Sequence, residues 1–316
     1  MNRILVAWLW LCVPLAAGAC DVCGIFLGVQ PNDRRSSIGL FYRSRIMQGT
    51  THVPMGSALL AAKHGGHVEA GVRYAEVPMT EIVNVMELRA DLRLGQRFFL
   101  LASVPVTNTY RSVNSYQVLD AYGLGDAFAM LRYQLVNTRC DKEIPPFVHR
   151  LLVGGGVKAP LGRNDLRIGD EVASPDIQLG TGSWDALASL EYSVRHGRTG
   201  GGVSALARFN GANAAGYQLG HGLSSTAEVF HRVGNDTISF APAVGGYVEW
   251  MAHDKVQGAT DHGTGGTTVF AHTGVRVWWR RATLAAYYQH ALLNQVGINI
   301  TPTVQRFVVA ITYNIN

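Results

Sequence analysis

The sequence predicts an all-β fold: a transmembrane antiparallel β-barrel of about twelve strands behind a cleaved signal peptide. Three observations carry that expectation. Residues 82–93, IVNVMELRADLR, put Glu87, Arg89, Asp91 and Arg93 on one face of a strand and Met86, Leu88, Ala90 and Leu92 on the other, because strand side chains alternate faces with period two. The same alternation recurs along the chain in long runs, beyond the usual soluble strand of ~5–6 residues and long enough to cross a bilayer at a tilt. The chain also opens with an export signal. Repeated two-faced strands in an exported chain point to an inverted protein, apolar outside and polar inside.

Composition narrows the class. Hydrophobic residues make up 47% of the chain and charged residues 16%, with 36 glycines. No stretch after the signal approaches the ~18 uninterrupted apolar residues of a membrane helix, which excludes a helical membrane protein. The net charge of +5 is spread without a Lys/Arg-rich run, so nothing is suited to tracking a nucleic-acid backbone. Arg far outnumbers Lys, which suits charges held in a lumen better than freely solvated ones.

Residues 1–19 read as the signal: Arg3 supplies the positive start, Ile4–Ala17 the apolar stretch, and Ala17-Gly18-Ala19 the small-residue cleavage site. Cys20 then becomes the first mature residue. Ala17-Gly18-Ala19-Cys20 also resembles a lipobox, with Ala17 in place of the usual large aliphatic residue, so acylation is a second fate for Cys20. Residues 20–35 form a periplasmic segment carrying Cys20 and Cys23, and 36–316 form the barrel. Strands are expected at 36–48, 81–93, 96–109, 122–137, 147–160, 182–196, 200–209, 216–232, 236–252, 266–279, 281–293 and 305–316.

The connections alternate in length. Short turns fall at Leu94-Gly95, His196–Thr199, Val233–Asp236 and Arg280-Arg281, and longer loops at 49–80, 110–121, 161–181, 253–265 and 294–304. Bacterial barrels join short periplasmic turns to longer outer loops. The segment 138–146 falls on the short-turn side despite its length. Twelve strands place both ends of the barrel on the periplasmic side. Val68–Val77 also alternates; it reads as a hairpin within the first outer loop, with fourteen strands as the alternative count.

Face assignments follow strand by strand. On 182–196, Asp185, Ser189, Glu191, Ser193 and Arg195 face in, and Ala186, Ala188, Leu190, Tyr192 and Val194 face out. On 236–252, Thr237, Ser239, Tyr247 and Glu249 oppose Ile238, Phe240, Val244, Val248 and Trp250. On 305–316, Arg306, Thr312 and Asn314 oppose Phe307, Val309, Ile311, Tyr313 and Ile315. Strand 96–109 is apolar on both faces and gives no assignment. Alternation elsewhere puts Arg43, Arg45, Asp126, Arg132, Arg150, Lys158, Arg208, Glu228 and Arg276 on the inner face with Glu87, Arg89, Asp91 and Arg93. Trp184, Trp250, Trp278, Trp279, Tyr287 and Tyr313 fall near strand ends, where aromatic girdles sit.

The inner set mixes both signs. Buried charges must be paired or wet, and twelve strands make a wider barrel than the eight-strand case that side chains just fill. Such a ladder either bridges a narrow lumen or lines a small aqueous channel with little charge preference. Asp21–Arg35 is placed to reach into the lumen as a plug.

Other chemistry is sparse. Cys20 and Cys23 have the spacing of a redox pair or half a zinc site. Gly24, in place of His, excludes haem attachment, and no second Cys pair completes a four-ligand site. Disulfide formation, lipid attachment, thiol exchange and metal binding at Cys20 and Cys23 all remain open. His253 and His262 share a loop above His272, and His52, His64 and His67 share another, at spacings that match no rigid site. No Ser or Thr is paired in sequence with an activating His. Gly180–Ser183 opens no strand-to-helix turn, and Gly154–Gly156 precede no helix. The expectation is a protein without catalytic residues or a cofactor.

Several segments resemble a known group. Cys20-Asp21-Val22-Cys23-Gly24, Gly123-Leu124-Gly125-Asp126, Gly154–Gly162 and Leu179-Gly180-Thr181-Gly182-Ser183-Trp184-Asp185 occur in the order found in transporter-like outer-membrane barrels of the "meta-pathway of phenol degradation" type. The similarity is to the branch that begins with Cys-Asp-Val-Cys-Gly. Ile25 departs from it, standing where many relatives carry another Cys. The resemblance implies a barrel in the outer membrane of a Gram-negative bacterium, passing small and in some cases hydrophobic molecules. The residues themselves support a transport barrel in contact with outer-membrane lipid. A metal- or redox-associated protein using Cys20 and Cys23, and a structural barrel with a closed, charge-paired lumen, are the alternatives. Gly125-Asp126 and Gly182–Asp185 read as bends where an outer loop meets a strand, with Asp126 and Asp185 turned into the lumen near its outer mouth.

Overall fold

Twelve antiparallel strands form the wall, each hydrogen-bonded to its neighbours in sequence, and the first pairs with the last. They are β1 (Ser37–Pro54), β2 (Tyr74–Leu94), β3 (Phe98–Val113), β4 (Tyr116–Leu124 and Ala127–Asn137), β5 (Phe147–Ala159) and β6 (Asp185–His196). The second half comprises β7 (Thr199–Asn210), β8 (Gly222–His231), β9 (Ile238–Met251), β10 (Gly266–Trp279), β11 (Ala282–Val296) and β12 (Thr303–Asn314). This computed structural model describes residues 36–54, 74–140, 146–235 and 237–315. The signal, Cys20, Cys23, the proposed plug Asp21–Arg35, His64 and His67 lie outside the described residues.

The expected inside-out arrangement is present on β2. Glu87 and Arg89 are 4% and 3% exposed, while Met86 and Leu88, one residue along, are 48% and 53% exposed. Leu40, Phe240, Val244, Phe307 and Ile311 on other strands are likewise exposed. In water, so large an apolar surface is unfavourable at ~25 cal/mol per Å²; against lipid tails it is not. Strand β3, whose composition was uninformative, resolves by register: Phe99, Leu101, Ser103, Thr107 and Thr109 are buried, and Phe98, Val104 and Val106 are exposed.

Strand β4 is broken at Gly125-Asp126. Val106 pairs with Leu124 and Ser103 with Phe128, so β4 carries one residue more than β3 over that stretch. The extra residue acts as a bulge and changes which alternate residues face inward, which turns Asp126 toward the interior.

Three expectations need correction. Residues 110–121 are not a loop: β3 and β4 continue as a hairpin to a tight turn at Asn114-Ser115, where both residues have positive φ (49° and 67°), as a type I′ turn requires. Strands β1 and β2 run beyond the membrane-length core in one ladder from Ser37↔Asp91 to Pro54↔Tyr74. Tyr74–Val77 is therefore the start of β2, extending the β1–β2 hairpin, while residues 68–73 of the expected alternating stretch lie outside the described residues. Finally, Tyr287 and Trp278 do not belong to an outer girdle. Tyr287 is buried with Tyr247, Phe270 and Val308, and Trp278 packs on Phe230, Ala241 and Ala243. Adjacent Trp278 and Trp279 cannot both face lipid when side chains alternate. Trp184, Trp250, Trp279 and Tyr313 are exposed.

The β5–β6 connection, 160–184, is folded rather than open. It contains a small hairpin (Arg167–Ile168 with Glu171–Val172) and a 3₁₀ turn at Pro175–Ile177. Leu166, Ala173, Ile177 and Leu179 form a cluster against Leu119 and Ala121 of β4. Buried backbone groups need partners, and Gln178 supplies them: its Oε1 accepts from Leu166 N (2.9 Å), and its Nε2 donates to the carbonyls of Leu166 (3.1 Å) and Ala173 (2.8 Å).

Such a wall resists detergent until heated. Unboiled protein is expected to run faster than boiled protein on a denaturing gel and to give a β-type circular dichroism spectrum; identical migration with a helical spectrum would refute the fold.

Candidate functional site

The inner charges are joined along a strand, between adjacent strands and, in several cases, across strands that are not neighbours. Glu87 accepts from Arg89 (Nε 2.8 Å, Nη2 2.7 Å) and from Ser103 Oγ (3.0 Å), with Arg43 Nη2 at 3.8 Å. Arg132 on β4 reaches Asp91 on β2 (2.5 Å) and Glu191 on β6 (3.6 Å), and Arg150 on β5 shares Glu191 (3.3 Å). In the other half, Arg276 on β10 pairs with Glu228 on β8 (2.6 Å), which also meets His272 Nε2 (3.2 Å). Arg306 on β12 holds both oxygens of Glu249 on β9, each at 2.6 Å. That last fork spans the two intervening strands β10 and β11. It also places the guanidinium over the Tyr247 and Phe270 rings, 5.4 and 4.9 Å from their centroids. Planar, forked guanidinium suits such bridges better than an ammonium, in keeping with the excess of Arg.

Small residues make room for the ladder. A Cβ on Gly154 would lie 2.7 Å from Arg132 Cγ and 2.6 Å from Ser189 Oγ. Gly154 thus opens the path by which the Arg132 stem crosses β5 toward Glu191.

A second network gathers the motifs that are far apart in sequence. Lys158 Nζ lies 2.6 Å from Asp126 Oδ2 and 2.7 Å from Asp185 Oδ2, and also donates to Thr181 Oγ1. Asp126 accepts in addition from Gly162 N (2.9 Å), Thr181 N (2.8 Å) and Thr181 Oγ1 (2.9 Å). Asp185 Oδ1 accepts from Ser183 Oγ (2.9 Å) and Gly211 N (3.1 Å). The bend at Gly182 has φ +71°, and a Cβ there would fall 1.9 Å from Asn164 Nδ2. The Gly-Asp, Lys and Gly-Ser-Trp-Asp segments are therefore one knot that ties both ends of 160–184 to the wall.

Above the knot lies the loop-side mouth, a cavity of about 760 Å³ lined by His52, Arg111, Asp176, Tyr217, Asp254, Asp261 and residues 296–302, among others. Asp254 is structural there: its Oδ1 accepts from Gly220 N (2.7 Å) and its Oδ2 from the Tyr217 hydroxyl. Burial pushes the Asp254 carboxyl above the ordinary carboxylate range, against those two hydrogen bonds.

Of the residues expected to line the lumen, Arg45, Glu87, Arg89, Arg132, Arg150, Lys158, Asp185, Glu191, Arg208, Glu228, Glu249 and Arg276 are buried. Arg43, Asp91, Arg93, Asp126 and Arg195 are partly buried on the same face. Cys20 and Cys23 lie outside the described residues. His253 and His262 sit edge to face, 5.2 Å between centroids, while His272 is buried apart from them beside Glu228. Among the described residues no three His, Cys, Asp or Glu side chains gather as metal ligands would. Sequence reading missed Thr181, Gln289, which lies 3.1 Å from His272 Nδ1, Glu81 with Arg111, joined at 2.6 Å, and Asp176, which lines the cavity. Strand parity would have found Glu81, which shares a face with Glu87. Asp176 sits on a loop, where no period applies.

Compared with solved structures, the chain is similar to an outer membrane channel from Pseudomonas putida F1, with a TM-score of 0.58 and 12% identity over 90% of this chain and 99% of that one. It is also aligned with the translocator domain of the autotransporter NalP from Neisseria meningitidis (TM-score 0.41, 13% identity, 91% of each chain). The β domain of the Bordetella autotransporter BrkA gives a TM-score of 0.43 at 10% identity over 89% of this chain and 100% of that one. No family model and no curated protein matches the sequence. The first likeness shows the fold.

Breaking a buried pair strands its partner. Lys158→Met should lower stability by ~3–5 kcal/mol, read by urea unfolding in micelles through tryptophan fluorescence. Replacing Asp126 and Asp185 with Asn in the same chain should recover much of that loss, because no unpaired charge is left.

Proposed function

We propose that the protein is an outer-membrane channel for small solutes, held in a closed state in the conformation described above. The observation that carries this reading is the combination of a lipid-compatible exterior with a polar interior that opens, at the loop end, into a cavity of about 760 Å³. Residues 1–19 act as the export signal, residues 20–35 as a periplasmic segment, and the apolar exterior meets outer-membrane lipid. The interspersed signs of the inner ladder argue for weak charge selection. The resemblance to transporter-like barrels extends the solutes to small hydrophobic ones.

One observation favours a second reading, a barrel whose function is structural: many of the inner charges are buried and paired, as at Arg306, which is 2% exposed and holds both oxygens of Glu249. The two readings differ in whether the mouth segment moves. In planar bilayers, replacing residues 165–178 with a short Gly/Ser bridge should raise single-channel conductance several-fold over the wild type. If neither protein opens at any voltage, the channel reading fails and the structural barrel stands.

A further inference from the structure

The two ends of the barrel differ in charge. The antiparallel order puts the β2–β3, β4–β5, β6–β7, β8–β9 and β10–β11 connections at one end, where β1 also meets β12 through Ser37 and Asn314. Each of these connections holds arginine: Arg97, Arg139, Arg198, Arg232 and the pair Arg280-Arg281. Lys142 adds a cation, and the acids in the same segments are Asp141, Glu143 and Asp236, so this end is net positive. At the loop end the exposed arginines are offset. Arg163 pairs with Asp165 at 3.0 Å, and Arg167 Nη1 donates to the Asp170 carbonyl at 2.7 Å.

The arginines of the short-turn end stand at the height of the aromatic girdle. Arg280 Cζ lies 5.8 Å from the ring centroid of Trp279, which is 57% exposed on the lipid face. Arg97 Nη1 donates to the Tyr133 hydroxyl at 3.2 Å, and Tyr133 packs on exposed Phe98 with 5.0 Å between centroids. Such rings mark the headgroup level of a bilayer, and long basic side chains beside them reach the same level. Arg97, Arg198, Arg280 and Arg281 are exposed, and no carboxylate pairs with them among the described residues. Arg232 differs: it donates Nε to buried Ser239 Oγ at 3.0 Å and lies 5.4 Å from the Trp278 centroid. The Arg280-Arg281 turn adds a further point. Trp279 pairs with Ala282, and Arg280 has φ +53° at the first central position, where a two-residue hairpin of this kind ordinarily takes glycine. Turn geometry therefore does not call for arginine there.

We propose that the short-turn rim binds anionic phospholipid, with Arg97, Arg198, Arg280 and Arg281 taking the phosphate groups of the surrounding leaflet. A forked guanidinium matches phosphate through two parallel N–H···O bonds, and negative headgroups attract basic side chains within a Debye length of the surface. The distribution favours lipid over a soluble acidic partner. The β2–β3, β6–β7 and β10–β11 turns are four strands apart in a ring of twelve, a third of the circumference. Groups so spaced are too far apart to serve one small acidic site, whereas each has lipid beside it. The inference rests on the barrel lying in a membrane and not on its conducting a solute.

The test uses the whole protein in phosphatidylcholine vesicles. Electron spin resonance of trace spin-labelled phosphatidylglycerol and phosphatidylcholine reads the relative association of each lipid with the wall. The wild type should prefer phosphatidylglycerol by about two- to fivefold in dilute buffer. That preference should fall toward one in about 1 M salt, where the Debye length is about 3 Å. Arg97→Gln/Arg198→Gln/Arg280→Gln/Arg281→Gln should show no preference. Arg163→Gln/Arg167→Gln, which removes exposed arginines from the loop end, should keep the wild-type value. A heat-shifted gel band identifies each protein as a closed barrel, and a wild type without it fails the barrel itself. Should the fourfold variant lack the band, Arg97→Gln/Arg198→Gln and Arg280→Gln/Arg281→Gln are read separately, and each should lower the preference. A folded wild type with no preference leaves the rim to a soluble acidic partner and overturns the proposal. A rim variant that keeps the full preference, or a loop-end variant that loses it, overturns it equally.

Discussion

Pairing of Ser37–Met47 with Thr303–Asn314 closes the sheet on itself, and the rest of the structure depends on that closure. Along the membrane belt the wall has no free edge, so backbone donors and acceptors are satisfied by neighbouring strands, the condition for sitting in lipid. Once closed, each strand has one face toward hydrocarbon and one toward a confined interior. Apolar residues go outward without penalty. The inner residues lose access to bulk water and must find partners across the lumen.

The form of the ion pairs follows from that confinement. Interior charges cannot simply be solvated, and a single buried charge is far worse than a pair. Arg132 therefore serves Asp91 and Glu191 from a central position, and Arg306 grips both oxygens of Glu249 over two intervening strands. Aromatic rings fill the gaps beneath the guanidinium groups, as Phe230 does under Arg276 at 4.9 Å. Such pairs add little net stability over an apolar core. They keep the interior polar, which a wall of packed leucines would not.

Segment 160–184 is built on the same terms at the outer end. The Asp126, Lys158 and Asp185 cluster fixes where it enters and leaves the wall, Gln178 satisfies its backbone, and a few apolar side chains give it an inner face. Most of its anchoring sits at its base. Beyond the base it is held by the apolar packing of Leu166, Ala173, Ile177 and Leu179.

The alternation of 82–93, the short turns, and the two-faced pattern of 182–196, 236–252 and 305–316 were legible in the chain, because a closed wall between lipid and lumen imposes period two on every strand. Period two ceases to inform where both faces are apolar, as on 96–109, where aromatics adjoin, as at Trp278-Trp279, and in loops. It also breaks at the Gly125-Asp126 bulge. The sequence by itself therefore determined the architecture and the strand count to within two. Only the tertiary structure decided which charge meets which, that Asp126, Lys158, Thr181 and Asp185 form one knot, and that Asp176 and Arg111 line one cavity. Those contacts are set by the curvature and register of the closed sheet, which bring together residues that strand periodicity cannot relate.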